Sequence, residues 1–186
     1  YPLKLYSPEH DELKGTLEFL MDESYVNGAF YQNMIHSGLN AYLTLHVAQN
    51  LLRMGDPRFA DMVRTTADIA SPTCQWPEAV HPRTGGGCMG DGHHVWASAE
   101  WVAMIRNMFV REEDGKLIIG SGILPEWLES DGSISFGPTP TPWGDLTVTI
   151  DNTGKQPHVR IDGEWREEPA ETIIALPGYE KVSRES

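Results

Sequence analysis

The sequence predicts an α+β protein with its helices in the first half and its strands in the second. Up to about Val110, apolar residues recur at the spacing of one helix face. After "REEDGK" (Arg111 to Lys116) they regroup into short β-branched and aromatic runs set apart by Gly, Pro, Asp and Asn. With 186 residues, 40% of them hydrophobic, the chain suffices for one domain, or one domain and part of another, around a real core. The boundaries expected are 1–112 for the helical portion, 113–180 for the strand portion and 181–186 for a frayed tail.

The first helix is expected from Ser7-Pro8-Glu9, where a cap residue, a proline and an acid stand in order. Leu13, Leu17 and Leu20 carry its stripe to about Met21, and Asn27-Gly28 breaks it. The second helix is expected over Ser37 to Met54. Leu39, Tyr42, Leu43, Val47 and Leu51 form one stripe, and Leu45, Ala48 and Leu52 an adjacent one. So wide an apolar arc implies burial on more than one side. Gly55 ends this helix, and Asp56-Pro57 starts the third, which Phe59, Met62, Val63, Thr66 and Ile69 continue to about Ala70. The short connection suits an antiparallel pair. A long loop follows, about Ser71 to Gly92, and a last helix over about His93 to Val110 with Ala97, Trp101, Met104, Ile105 and Met108 on one face.

In the second half, Leu117–Ile119, Ser133–Phe136, Leu146–Ile150, His158–Ile161 and Thr172–Ala175 read as the strands of a small antiparallel β-sandwich. "GPTPTPWG" (Gly137 to Gly144) reads as a rigid connection between two of them.

A net charge of -13 with no local Lys/Arg cluster argues against a nucleic-acid partner. No stretch reaches the ~18–20 apolar residues of a membrane span. The opening "YPLKLYSPEH" has neither a Met nor the charged and apolar regions of a signal peptide, and reads as the start of a piece of a longer chain. Cys74 and Cys88 fit either a single bridge or two free thiols.

The chemistry gathers in the 71–92 loop and the helix start after it. "CQWPEAVHP" (Cys74 to Pro82) and "GGCMGDGHHVWASAEW" (Gly86 to Trp101) hold carboxylates, histidines and tryptophans. Long loops without structure of their own are most often functional. Carboxylates that move protons beside aromatic faces that stack on sugar rings are the parts of a carbohydrate site. Glu78 and Asp91 are the candidate catalytic residues; Trp76, His81, His93, His94 and Trp96 are the candidate substrate-binding residues. Asp91 also suits a helix cap, and Glu100 an ion pair. Cys88, His81, His93 and His94 match no standard zinc spacing, so no metal and no cofactor are expected. The glycines at 85–87 lack the Lys-Ser/Thr of a phosphate loop, and no G-x-S-x-G elbow is present.

"SGLNAYLTLHVAQ", "WPEAVHP", "GGCMGDGHHVWASAEWV", "LIIGSGILPEWL", "FGPTPTPWGDLTV" and "ALPG" together resemble the C-terminal end of bacterial glycoside hydrolases built on an (α/α)6 toroid, such as the glucoamylase-like and trehalase-like enzymes. The resemblance implies that the helical half is a helical-hairpin portion of such a toroid. It implies hydrolysis of glycosidic bonds in an oligosaccharide or polysaccharide, with inversion. Glu78 would be the general base and an acid elsewhere would protonate the leaving oxygen. Asp91 and His93 would bind hydroxyls or water, and Trp76 would stack. Inversion goes with carboxyl groups ~6.5–9.5 Å apart. Only four helices are legible, so the implied partner besides carbohydrate is the missing N-terminal part of the enzyme, or a second copy. As inner helices of a ring, the segments bearing Leu43, Val47, Leu51, Trp101 and Met104 would leave apolar surface exposed. The rival readings are a non-catalytic carbohydrate-binding module and a structural interaction module.

Overall fold

The structure, a computed structural model, describes residues 2–34, 37–90, 92–129, 132–154, 156–179 and 183–185. It divides into two compact units, Tyr1–Met104 and Ile105–Ser186.

The first unit runs α1 (Asp11–Ser24), β1 (Tyr25–Val26), β2 (Ala29–Gln32), β3 (Gly38–Leu39), α2 (Ala41–Met54), α3 (Arg58–Asp68), β4 (Ala79–Val80), β5 (Gly87–Met89) and α4 (Val95–Phe109), whose end from Ile105 falls in the second unit. Ser7 Oγ accepts the Glu9 amide, but helical structure begins only at Asp11, with Asp11 and Glu12 in its first turn. Asn40 caps α2: its Oδ1 accepts the Leu43 amide at 3.0 Å. Gly55, in the left-handed region at φ 71°, closes the same helix. Asp56 Oδ1 accepts the Arg58 amide at the start of α3, and Arg58 also bonds Glu18 on α1. The Arg58 guanidinium, which bonds both the Asp56 and the Glu18 carboxylates, holds both groups below the usual carboxylate range.

The toroid expectation is corrected here. Among the described residues four α-helices accompany three sheets, and one sheet lies inside the helical half. It is antiparallel, in the order β1-β2-β3-β4-β5. Asn27 and Gly28, at φ 51° and 80°, form the tight turn of a β1–β2 hairpin rather than a simple helix break. Ser37 to Leu39 do not open α2, because Gly38 and Leu39 pair with β2 and Leu39 pairs with Val80. Of the five apolar residues expected to be left exposed, three are buried and two are half-buried. Val47 is 4% exposed, Leu51 1% and Met104 0%, while Leu43 and Trp101 are half-buried.

The second unit contains β6 (Val110–Glu113), β7 (Lys116–Ile119), a 3₁₀ turn (Pro125–Leu128), β8 (Ser133–Thr141), β9 (Gly144–Asp151), β10 (His158–Trp165), β11 (Glu171–Ile174) and β12 (Ser183–Glu185). The antiparallel sandwich expectation is also corrected. A three-stranded sheet, β11-β7-β6, and a four-stranded sheet, β12-β10-β9-β8, each include one parallel pair, β11 with β7 and β12 with β10. Leu117, Ile119, Leu146, Val148, Ile150 and Val159 of the two sheets share one core. Most of "GPTPTPWG" is strand rather than connection: Thr139 to Thr141 pair with Leu146 to Gly144 as the second half of β8, after a register shift, and only Pro142 and Trp143 link β8 to β9.

Candidate functional site

The segment between α3 and α4 is held at three points. Trp76 is 3% exposed, packs with Ala41, Tyr42 and Ala97, and donates from Nε1 to the Thr66 carbonyl at 2.8 Å. It is a core side chain anchored to the end of α3, so it presents no face to a sugar. Its own carbonyl accepts the His94 amide at 2.8 Å, which fixes where α4 begins. The third point is Asn40, fully buried, whose Nδ2 donates to the Glu78 carbonyl at 3.0 Å and to Gln32 Oε1 at 3.1 Å.

Glu78 is half-buried and directly precedes β4. Its side chain lies against Gly90 (φ 65°), where an added Cβ would stand 2.9 Å from Glu78 Oε2. That approach and that backbone angle both require glycine. His81 is occupied by its own turn: Nδ1 accepts the amides of Arg83 and Thr84 at 3.2 and 3.3 Å. His93 is exposed, with Nε2 3.5 Å from Gln75 Nε2. Asp91 lies outside the described residues. Neither cysteine is bridged. Cys74 is exposed, while the Cys88 thiol donates to the Ser37 carbonyl at 3.2 Å and burial pushes its pKa up.

His94 and Trp96 belong to a cluster that loop reasoning did not reach. Tyr42 is buried on α2, and Trp96, half exposed, stacks on it with ring centroids 4.3 Å apart and planes 21° apart. His94 stacks on the same tyrosine at 5.0 Å. Trp96 Nε1 donates to Glu100 Oε1 at 3.2 Å. That oxygen also lies 3.0 Å from His46 Nε2, a close contact without the alignment of a hydrogen bond. The spacing was a usable signal. Tyr42 and His46, and Trp96 and Glu100, are each four residues apart, so each pair shares one helix face.

The arrangement offers a half-exposed indole braced by a buried tyrosine, a carboxylate beside it, and a second carboxylate, Glu78, on the strand segment. Among the described residues no group of three His, Cys, Asp or Glu side chains is placed to hold a metal ion, and no helix is long and apolar enough to cross a membrane. Comparison with protein-family models, curated proteins and solved structures finds no match.

Proposed function

We propose that this chain contacts carbohydrate as part of a glycoside hydrolase that cleaves an oligosaccharide or polysaccharide with inversion, Glu78 acting as general base. The observation that carries the reading is Trp96. An exposed indole stacked at 4.3 Å on a buried tyrosine and tied through Nε1 to a carboxylate is a pre-ordered apolar face with a polar edge. A pyranose ring has the same two characters, a C–H face and a rim of hydroxyls. Burial of the Trp76 indole moves the stacking role from the loop to α4. Glu78 supports the catalytic part: its carboxylate is held against Gly90 and its backbone is tied to Asn40. Hydrolysis requires an ordered carboxylate of this kind.

The test is hydrolysis of maltotriose, cellotriose and xylotriose by the chain assembled with the part of the enzyme that supplies the general acid, with product anomers followed by NMR. Glu78→Gln keeps the size of the side chain and cannot take a proton from water. It should lower kcat by ~10²–10⁴-fold, with substrate binding retained. Azide, a nucleophile that needs no base, should restore turnover. Full kcat in the amide variant overturns the catalytic role. Sugar binding without turnover by the enzyme assembled with its acid-bearing part favours the carbohydrate-binding module instead.

A further inference from the structure

We infer that Glu100 is the hydroxyl-binding residue of a sugar subsite beneath Trp96, its Oε2 accepting a hydrogen from a ring hydroxyl of a neutral saccharide. The inference rests on the carbohydrate reading above and deepens it by naming the group that recognises the sugar's polar edge.

Two buried polar atoms beside the Tyr42–Trp96 stack, Glu100 Oε2 and His94 Nε2, have no hydrogen-bond partner among the described residues, and His46 Nε2 has only its poorly aligned 3.0 Å contact with Glu100 Oε1. A buried polar group left unpaired is costly, and a charged one more so. The His46 and His94 rings each pack against Tyr42 and Trp96, and Glu100 bonds the Trp96 indole. His46 and Trp96 centroids are 5.9 Å apart, and those of His94 and Trp96 6.5 Å. The Glu100 side chain is 12% exposed and that of His46 19%. Glu100 spends Oε1 on Trp96 and His46 and keeps Oε2. Trp96 is the half-exposed member of the group, and its bond to Glu100 uses Oε1 alone, so Oε2 keeps its accepting capacity while the indole stays stacked on Tyr42.

The chemistry of the free atoms selects the ligand. An ionised carboxylate only accepts, so it needs a donor, and each imidazole offers a donor or an acceptor according to its tautomer. A hydroxyl is both and can bridge the two kinds of group. An anionic ligand would meet Glu100 and a chain of net charge -13. A quaternary ammonium would suit the carboxylate but needs rings that enclose it. Tyr42 and Trp96 are instead stacked on each other, planes 21° apart, with no gap between them. A neutral sugar, with one face for the outer side of the indole and hydroxyls for the carboxylate, fits what remains.

The test is calorimetric titration of the full chain with maltotriose, cellotriose, xylotriose and, as a control, tetramethylammonium. Glu100→Gln keeps an acceptor for the Trp96 indole and replaces the charged oxygen. It should weaken the bound trisaccharide by about 10–100-fold, the loss of one charge-assisted hydrogen bond. Trp96→Ala should abolish binding, and tetramethylammonium should not bind. In the unsubstituted protein, the ¹³Cδ resonance of Glu100 should shift as sugar is added, which tests the contact even if Glu100→Gln fails to fold. Trisaccharide binding that needs Trp96 but is unchanged in Glu100→Gln, or that leaves the Glu100 resonance unmoved, overturns this inference and leaves the carbohydrate reading standing. A parent chain that binds none of the three trisaccharides overturns both. Binding of tetramethylammonium in their place assigns the cluster to a cation.

Discussion

Asn40 is the residue through which the site can be loosened without touching it. It is fully buried, and one side chain makes three bonds: Oδ1 caps α2 at Leu43, and Nδ2 donates to Gln32 and to the Glu78 carbonyl. Asn40→Ala removes all three. Loss of a cap costs ~0.5–2 kcal/mol, and stripping the donor from a covered carbonyl ~1–3 kcal/mol, so the sum should be about 2–4 kcal/mol. Asn40→Ser separates the two effects, because its hydroxyl can cap α2 but is too short to reach Glu78; its cost should be about 1–2 kcal/mol. Asn40→Asp is the sharpest probe. It keeps the cap acceptor and the shape, but sets an oxygen 3.0 Å from the Glu78 carbonyl where a donor stood. Burial and that carbonyl both raise the new carboxyl's pKa. The native state then holds a proton that the unfolded state releases, so stability falls as pH rises and recovers as pH drops through the raised pKa. Urea unfolding monitored by far-UV circular dichroism, between about pH 8 and pH 5, measures both effects. Asn40→Asp as stable as the parent at neutral pH, with no recovery in acid, would refute the role given to the Asn40–Glu78 bond.

Two further outcomes follow from side chains that the structure takes out of the site. Trp76→Phe should cost about 1–2 kcal/mol in urea unfolding, from loss of the Nε1 bond to Thr66. It should leave trisaccharide affinity in calorimetry unchanged; lost affinity at full stability would restore Trp76 to the ligand. Cys74 is exposed, whereas Cys88 is half-buried with its pKa raised. Labelling by maleimide in the native protein, read by mass spectrometry, should therefore modify Cys74 roughly tenfold or more faster. Equal rates would contradict the packing of Cys88 against β3 and β4.

What the sequence made legible is what local chemistry decides. Gly55 and Asp56 mark the end of α2 and the start of α3 because a left-handed residue and a carboxylate cap act over one turn. Leu117–Ile119 and Leu146–Ile150 sit inside β7 and β9 because their alternation meets a buried core. What stayed hidden depends on partners distant in the chain. Leu39 pairs with Val80, and that pairing withdraws Ser37 to Leu39 from the helix their stripe suggested. Gly38 admits the neighbour, since a Cβ there would lie 2.9 Å from both Ala79 Cβ and the Val80 carbonyl oxygen. The parallel pairs of the second unit are equally invisible to alternation, which gives a strand its buried face but not its neighbour. Asn27-Gly28 was legible and was misread, since the tight-turn pair stands between "YV" and "AFYQ", two β-prone runs.

The same division explains why the candidate site moved. A loop rich in Trp, His and Glu suggested that the loop itself carried the chemistry. Its polar and aromatic groups turn out to divide by what can be satisfied locally. The Trp76 indole finds a helix-end carbonyl, and His81 finds two turn amides, so both are used up in fixing the segment's path. The Trp76 carbonyl then receives the His94 amide and sets the start of α4. From that point helix geometry decides the rest. With α4 begun at Val95, residues 96 and 100 share a face, and Trp96 meets Tyr42 while Glu100 meets His46 on α2. A one-residue shift in that start would turn the face by about 100° and carry Trp96 off the tyrosine. The loop therefore acts on the candidate site by setting helical phase, and the buried atoms around Trp96 with unspent hydrogen-bonding capacity are those of Glu100, on α4, and His94, just before it.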